Sequence, residues 1–158
     1  GENTSIETIE KAKEIFKLSG SSIVTVNKEI DGFILNRLQG ALLNEAMRLY
    51  SEGYASSEDI DATIKDGLGL RWAFMGPFET IDLNAPGGIK DYMARYGSIF
   101  IEMAKSQTKI PDWSENAGKK LELERRKVLS EDDLEKRAKK RNFLLKQLRK
   151  LKIDNDET

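Results

Sequence analysis

Three polar residues in this sequence are poorly accounted for by their neighbours. Asn36 and Arg37 stand in the first turns of 33–50, FILNRLQGALLNEAMRLY, where 11 of 18 residues are apolar. A buried amide left without partners costs roughly 1–3 kcal/mol. Asn36 is therefore expected either to make an internal structural hydrogen bond or to point into a site, where it orients a substrate or a catalytic residue. Composition leaves both open. Arg71 sits among Leu70, Trp72, Phe74 and Met75. Either its stem lies along apolar surface with the head in water or on a carboxylate, or it presents a planar guanidinium to a substrate carboxylate. Glu79 needs no such role. It follows Pro77 and faces the positive end of a helix, which accounts for it structurally. The 158 residues contain no histidine and no cysteine. The commonest general base, thiolate chemistry and cysteine-based metal sites are thus unavailable to these residues, and no metal site is expected.

The elements that position these residues read as helices. The 33–50 segment is apolar around nearly its whole wheel, the pattern of a central helix packed on most sides. Asp31 is placed to cap it and Gly32 to allow close backbone approach. Residues 4–18 form an amphipathic helix with Ile6, Ile9, Ala12, Ile15 and Phe16 near one face, capped by Thr4 or Ser5. After Ser19 to Ser22, the β-branched run Ile23 to Val26 is the one convincing strand signal. Alone it cannot satisfy its backbone, so it is expected to pair with strands outside this chain or with a second copy. Ser56 with Asp59 opens a helix that Gly67 is expected to stop. Gly67-Leu68-Gly69 is not read as a dinucleotide loop, because it follows a helix and Trp72 stands where a third glycine is needed.

Pro77 starts the next helix, and Pro86-Gly87-Gly88 breaks the chain again. A helix with Ile89, Tyr92, Met93, Tyr96, Phe100 and Met103 at core spacing follows. Trp113, Ala117, Leu121 and Val128 trace another. Ser130 with Asp133 caps the last, which carries Leu134, Ala138, Leu145, Leu148 and Leu151 on one face and a crowd of lysines and arginines on the other. With Glu131 to Glu135 before it and only Phe143 interleaved, that stripe reads as a solvated face packing along a neighbour rather than as a nucleic-acid surface.

Length suits one ordinary domain with a core. Apolar residues make up 39%, charged residues 34%, and the net charge is −1. That balance describes a soluble helical protein with neither a nucleic-acid nor a membrane partner. No run approaches the ~18 apolar residues of a membrane span, and no signal peptide is visible. The lack of cysteine fits a reducing, cytoplasmic setting. The chain opens on Gly1, as cleaved fragments do, and is expected to lack part of its active site.

Two long stretches carry a resemblance. VTVNKEIDGFILNRLQGALLNEAMRL and EGYASSEDIDATIKDGLGLRWAFMGPFETIDL closely resemble the C-terminal helical domain of the 3-hydroxyacyl-CoA dehydrogenase superfamily. Within it, the GLGLRWAFMGPFE form and the tail ERRKVLSEDDLEKRAKKRNFLLKQLRKLK resemble the λ-crystallin and L-gulonate 3-dehydrogenase branch. Carnitine dehydrogenases are similar around Arg71 and Trp72. The resemblance covers Ile6 to Lys152. It implies an all-α fold, a helical bundle of the 6-phosphogluconate dehydrogenase C-terminal-domain-like type. It also implies that residues 1–29 are the last helix and strand of an absent NAD-binding Rossmann domain, 30–153 the substrate-binding and dimerisation domain, and 154–158 a tail.

In that family the Rossmann domain binds NAD and supplies the catalytic histidine. The resemblance thus implies NAD in the full-length enzyme and none bound by this fragment, which is expected to be inactive alone. The family's Asn in its GF-hydrophobic-x-N-R motif projects toward substrate and catalytic histidine, and here it is Asn36. Arg71 becomes a candidate for binding a substrate carboxylate. The expected whole is an NAD-dependent L-3-hydroxy-acid dehydrogenase, homodimeric through the helical domain and acting on a small 3-hydroxy acid or an acyl-CoA. The alternatives are a 3-hydroxybutyryl-CoA dehydrogenase of fatty-acid metabolism and a non-catalytic, crystallin-like helical dimer module.

Overall fold

The computed structural model describes residues 4–155. Among these, eight α-helices and one π-helical segment account for all the regular structure, so the all-α expectation holds. The chain falls into two compact units, Gly1–Ala41 and Leu42–Thr158, taken here one at a time.

In the first unit, α1 runs Ile6–Leu18, with the Ser5 hydroxyl accepting from the Thr8 amide at 3.2 Å. Its apolar face is uncovered: Ile6, Ile15 and Phe16 are all more than half exposed. The strand expected over 23–26 is absent from the described residues. The physical reason is the one that made a lone strand suspect: with no neighbouring strand, its amides and carbonyls have no ladder to join. The helix α2, Phe33–Ser51, begins in this unit. Asp31 does not cap it, since no hydrogen bond among the described residues joins its carboxylate to the first turn. Instead the chain enters through a tight turn in which the Phe33 amide donates to the Ile30 carbonyl at 3.1 Å. That turn needs a left-handed backbone at Gly32 (φ 81°) and, unusually, at Phe33 (φ 50°). Glycine adopts it freely, whereas phenylalanine pays on the order of 1–3 kcal/mol.

The second half of α2 belongs to the second unit and closes in a Schellman turn. The Tyr54 amide reaches the Leu49 carbonyl (2.9 Å) and the Gly53 amide that of Tyr50 (3.1 Å). The expectation that α2 is packed on most sides is corrected. Met47 is its one buried residue, while Ile34, Leu35, Leu38 and Leu43 are exposed. An apolar wheel tells how much surface a helix can bury, and covering it takes partners that this chain alone does not provide.

Ser56 caps α3 (Ser57–Ala62) as expected, accepting from the Asp59 amide at 3.1 Å. Gly67 does not stop it. The helix widens into a π-helical segment, Thr63–Leu68, and continues as α4, Gly69–Trp72. The reason is local: a Cβ at Gly69 would stand 2.9 Å from the Ile64 carbonyl oxygen, so this turn closes only around a glycine. Pro77 starts α5 (Pro77–Leu83), and Asp82 from α5 accepts from the Ile89 amide at 2.6 Å, anchoring the start of α6 (Gly88–Ser106). The core role expected for the α6 apolar stripe is corrected. Met93, Tyr96, Phe100 and Met103 are all exposed, because among the described residues α6 packs mainly on α5. Ser114 caps α7 (Glu115–Val128), which packs on α3. Ser130 accepts from the Asp133 amide before α8 (Leu134–Asn155). The residues expected as a tail from 154 are helical as far as Asn155, and the rest lie outside the described residues.

Candidate functional site

In the first unit, Asn36 lies one turn into α2, directly after the left-handed Gly32 and Phe33. It is exposed, and its amide has no hydrogen bond among the described residues. The internal structural bond that burial would have demanded is therefore not made. Arg37 beside it is also exposed and has no ion pair among the described residues.

In the second unit, Arg71 sits on α4, immediately after the π-helical segment. Its carbonyl closes the next turn by accepting from the Phe74 and Met75 amides at 3.0 and 3.1 Å. Its backbone is thus held while its side chain is exposed, with no carboxylate partner among the described residues. Glu79 is in the first turn of α5, as its dipole reading requires. Gly67 and Gly69 stand inside helical segments, not between a strand and a helix, so they build no phosphate cradle.

A third group was not expected from the sequence. A cleft of about 360 Å³ opens between α2, α3 and α7, lined by Met47, Tyr50, Ile60, Trp113, Leu121 and Arg125 among others. Its floor is tied by Glu124 of α7, whose carboxylate accepts both the amide (2.8 Å) and the hydroxyl (2.7 Å) of Ser57. These bonds, with the nearby Tyr50 hydroxyl, hold the Glu124 carboxyl below its ordinary range. The Tyr50 hydroxyl is buried and turned toward that carboxylate without completing a hydrogen bond; burial first, and the carboxylate second, push its pKa up. At the rim, Arg125 meets Asp61 at 3.3 Å, and the Trp113 indole donates to Asn44 at 3.0 Å. Beside it, Arg48 forks onto Glu45 (2.6 Å) and Glu52 (3.0 Å), which lowers the Glu45 pKa and raises its own.

The lining of this cleft is mostly apolar, and its charged groups are already paired with one another. It is suited to holding or packing a chain segment or an apolar group rather than to proton transfer. No group of three or more metal-ligating side chains occurs among the described residues. The signal that could have pointed to the cleft is slight: Ser57 follows a capping serine, and Glu124 lies amid the charges of 115–127.

Residues 32–141 match the family described as 3-hydroxyacyl-CoA dehydrogenase, C-terminal domain. Lambda-crystallin of Oryctolagus cuniculus is 42% identical over 94% of this chain, and the lambda-crystallin homolog of Homo sapiens 36% over the same share. L-carnitine dehydrogenase of Pseudomonas putida is 43% identical over 61% of the chain and 30% of its own length. The chain spans about half, 47%, of the length of the two crystallin-type relatives. With the match running through α2 to the first turns of α8, the chain belongs to the 3-hydroxyacyl-CoA dehydrogenase C-terminal domain family.

Proposed function

We propose that this chain is the substrate-side and dimer-forming part of a cytoplasmic, NAD-dependent L-3-hydroxy-acid dehydrogenase. Residues 1–29 are read as the end of its NAD-binding domain and 30–153 as the helical domain. The observation that carries the substrate side is Arg71: a guanidinium with its backbone pinned after a π-helical turn and its side chain exposed, with no ion pair among the described residues. L-Carnitine, named in one group of relatives, is itself a free 3-hydroxy acid whose carboxylate such a guanidinium fits with two parallel hydrogen bonds. L-Gulonate has the same carboxylate.

The residues present do not fit NAD, because the one glycine pair that resembles a phosphate loop is helical. NAD, which accepts the hydride, is therefore assigned to the rest of the whole protein, together with the general base. What this chain contributes is orientation. In the second unit Arg71 neutralises and aligns the substrate carboxylate. Asn36, in the first unit, is read on its own as a residue that orients a substrate or a catalytic residue. The exposed apolar surface of the second unit, including Phe78, Tyr96 and Phe100, supports a homodimer.

The test uses the whole protein. Arg71→Met should raise KM for a free 3-hydroxy acid by roughly 30- to 1000-fold, the loss of a charge-assisted pair of ~2–4 kcal/mol. Activity on acetoacetyl-CoA should be unchanged or better. A wild type that prefers the CoA ester, with neither substrate affected by the substitution, assigns the protein to acyl-CoA chemistry and makes Arg71 structural. No dehydrogenase activity on either substrate leaves the non-catalytic crystallin-like module.

A further inference from the structure

Among the described residues one stretch of helix is wider than the rest, and Arg71 follows it closely. Over Thr63–Leu68 the helix takes π-helical form, and the Gly69 amide ends it by donating to the Ile64 carbonyl, five residues back. An α-helical bond would run four residues back, so this segment carries one residue more than an α-helix of the same number of turns. One residue of α-helix is about 100° of rotation. In a regular helix continued from α3, Leu70 would therefore take the direction Arg71 now has, and Arg71 that of Trp72. The wide turn decides whether a leucine or a guanidinium is offered on that face.

The rotation has little room to be absorbed upstream. Ser57 at the start of α3 is tied by its amide and hydroxyl to Glu124 (2.8 and 2.7 Å), and the Thr63 hydroxyl donates to the Asp59 carbonyl at 2.8 Å. Within the wide segment Ile64 and Leu68 are half-buried and line a second apolar cleft, about 270 Å³, with Leu42, Ala46 and Leu49 of α2. Lys65 and Asp66 are exposed and pair with each other at 3.1 Å, so the extra residue is carried on the outer side. The two glycines here differ in what they allow. A Cβ at Gly67 would meet nothing within 4 Å, whereas one at Gly69 would stand 2.9 Å from the Ile64 carbonyl oxygen. That oxygen belongs to the backbone and cannot swing aside as a side chain can. Glycine is a poor residue for a helix interior, so local propensity gives no reason for it at 69.

We infer that Gly69 is a positioning residue for the substrate carboxylate: it permits the wide turn that aims the Arg71 guanidinium, and a side chain at 69 turns Arg71 away. This rests on the role proposed above for Arg71 and adds what sets its direction. Gly69 itself touches no substrate. Its effect is confined to substrates that carry a carboxylate for Arg71 to hold.

The test uses the whole protein, with L-carnitine or L-gulonate, whichever the unaltered enzyme oxidises faster, as the free acid and acetoacetyl-CoA as the thioester. Gly69→Ala should raise KM for the acid at least tenfold, with kcat and the thioester reaction within threefold of their unaltered values. Gly67→Ala, with free space for its Cβ, should leave both reactions as they are. Adding Gly69→Ala to Arg71→Met should raise KM no further, because the two substitutions remove one interaction. Deleting Asp66 from the Gly69→Ala chain takes out the extra residue, which gives a regular helix with Arg71 in its present direction. That variant should recover KM to within threefold. Circular dichroism and melting curves follow the folding of each variant. Should Gly69→Ala fail to fold, the deletion variant decides alone: a near-normal KM supports the inference, and a KM raised tenfold overturns it. Where Arg71→Met raises KM strongly, an unchanged KM in Gly69→Ala, or effects of the two that multiply, overturns the role of Gly69 and leaves that of Arg71 standing. A loss shared equally by acid and thioester makes Gly69 structural and overturns it too. A protein that oxidises neither acid, or an Arg71→Met variant of unchanged KM, ends the proposed role of Arg71 and this inference with it.

Discussion

The cleft between α2, α3 and α7 and the outer face of α6 use the same kind of residue to different ends. Around the cleft each aromatic has a partner of another chemistry. The Trp113 indole donates to Asn44, 69 positions away, Arg48 lies 5.6 Å from the Tyr54 ring, and Lys120 lies 5.8 Å from that of Tyr50. On α6 the aromatics have mainly each other: Tyr92 meets Tyr96 at 4.8 Å and Phe100 at 6.2 Å between ring centres. Rings spaced by four and eight residues on one helix stabilise that helix and fix nothing beyond it. The Trp113 and Tyr50 contacts tie α7 and the segment before it to α2. The rings on α6 leave a surface whose complement is elsewhere. Substitutions at anchored residues should therefore lower stability and spare assembly and turnover, and substitutions at bare ones should do the reverse.

The largest departure is expected at a bare polar residue. In the whole protein Asn36→Ala should lower turnover by roughly 10- to 1000-fold with NAD binding intact, since one positioned amide is worth a few kcal/mol in a transition state. The melting temperature should not move, because that amide has no hydrogen-bond partner among the described residues to lose. Turnover near normal, or a clear loss of stability, would move Asn36 to the anchored class.

On the α6 face, Tyr96→Asp should weaken the proposed dimer by about 30-fold or more. A tyrosine of this kind at an interface is worth upwards of ~2 kcal/mol, and a carboxylate in its place would be desolvated without a partner. Unfolding of the monomer should change less, since Tyr96 is already 40% exposed and its ring meets Tyr92 of its own helix. Sedimentation and thermal melts on the same samples separate the two. An unchanged dimer with a lower melting temperature would show that the ladder supports the fold after all.

At an anchored position the sign reverses. Ser57 is buried and donates its hydroxyl to Glu124 at 2.7 Å. Ser57→Ala removes a hydrogen bond to a charged acceptor and should cost about 1.5–3 kcal/mol of unfolding free energy, with the dimer dissociation constant unaffected. Chemical denaturation gives the first quantity, and a loss below ~0.5 kcal/mol would show that water replaces the hydroxyl without penalty.

What the sequence made legible follows the same division. Caps and starts are short-range chemistry, so Ser5, Ser56 and Pro77 were readable as helix beginnings and stand where expected. Gly67 was misread as a stop because the turn is set by Ile64 and Gly69, which form a π-helical step that periodicity at 3.6 residues does not describe. The Ser57–Glu124 tie was not legible at all: its partners are 67 positions apart, and nothing local marks them. Burial failed most. The apolar wheel of α2 was read as packed on most sides and that of α6 as core, but apolar spacing does not say whether the covering surface lies in the same chain.

The smallest effect is also the most selective, because it isolates one anchored carboxylate by pH. Glu124 is held below the ordinary carboxylate range, first by the Ser57 hydroxyl, then by the Ser57 amide and the Tyr50 hydroxyl. A folded-state pKa lower than the unfolded value near 4.3 means that the unfolded chain takes up the proton first. The stability this group contributes is thus fully present above about pH 4.3 and is lost as pH falls through the folded value. Glu124→Gln keeps the shape and one acceptor oxygen but cannot titrate. It should be less stable than the unaltered chain at pH 7, and the gap should close as the pH is lowered through 4 towards 3. Glu45 and Asp91 are also lowered, by Arg48 and Arg95, so the unaltered chain and the variant should both lose stability in acid. Only the difference between them reports Glu124. Melting curves taken in parallel at pH 7, 5, 4 and 3 give that difference directly. A gap that stays constant down to pH 3 would mean that Ser57 is held by the shape of the side chain alone, and the tie would then be a packing contact rather than an electrostatic one.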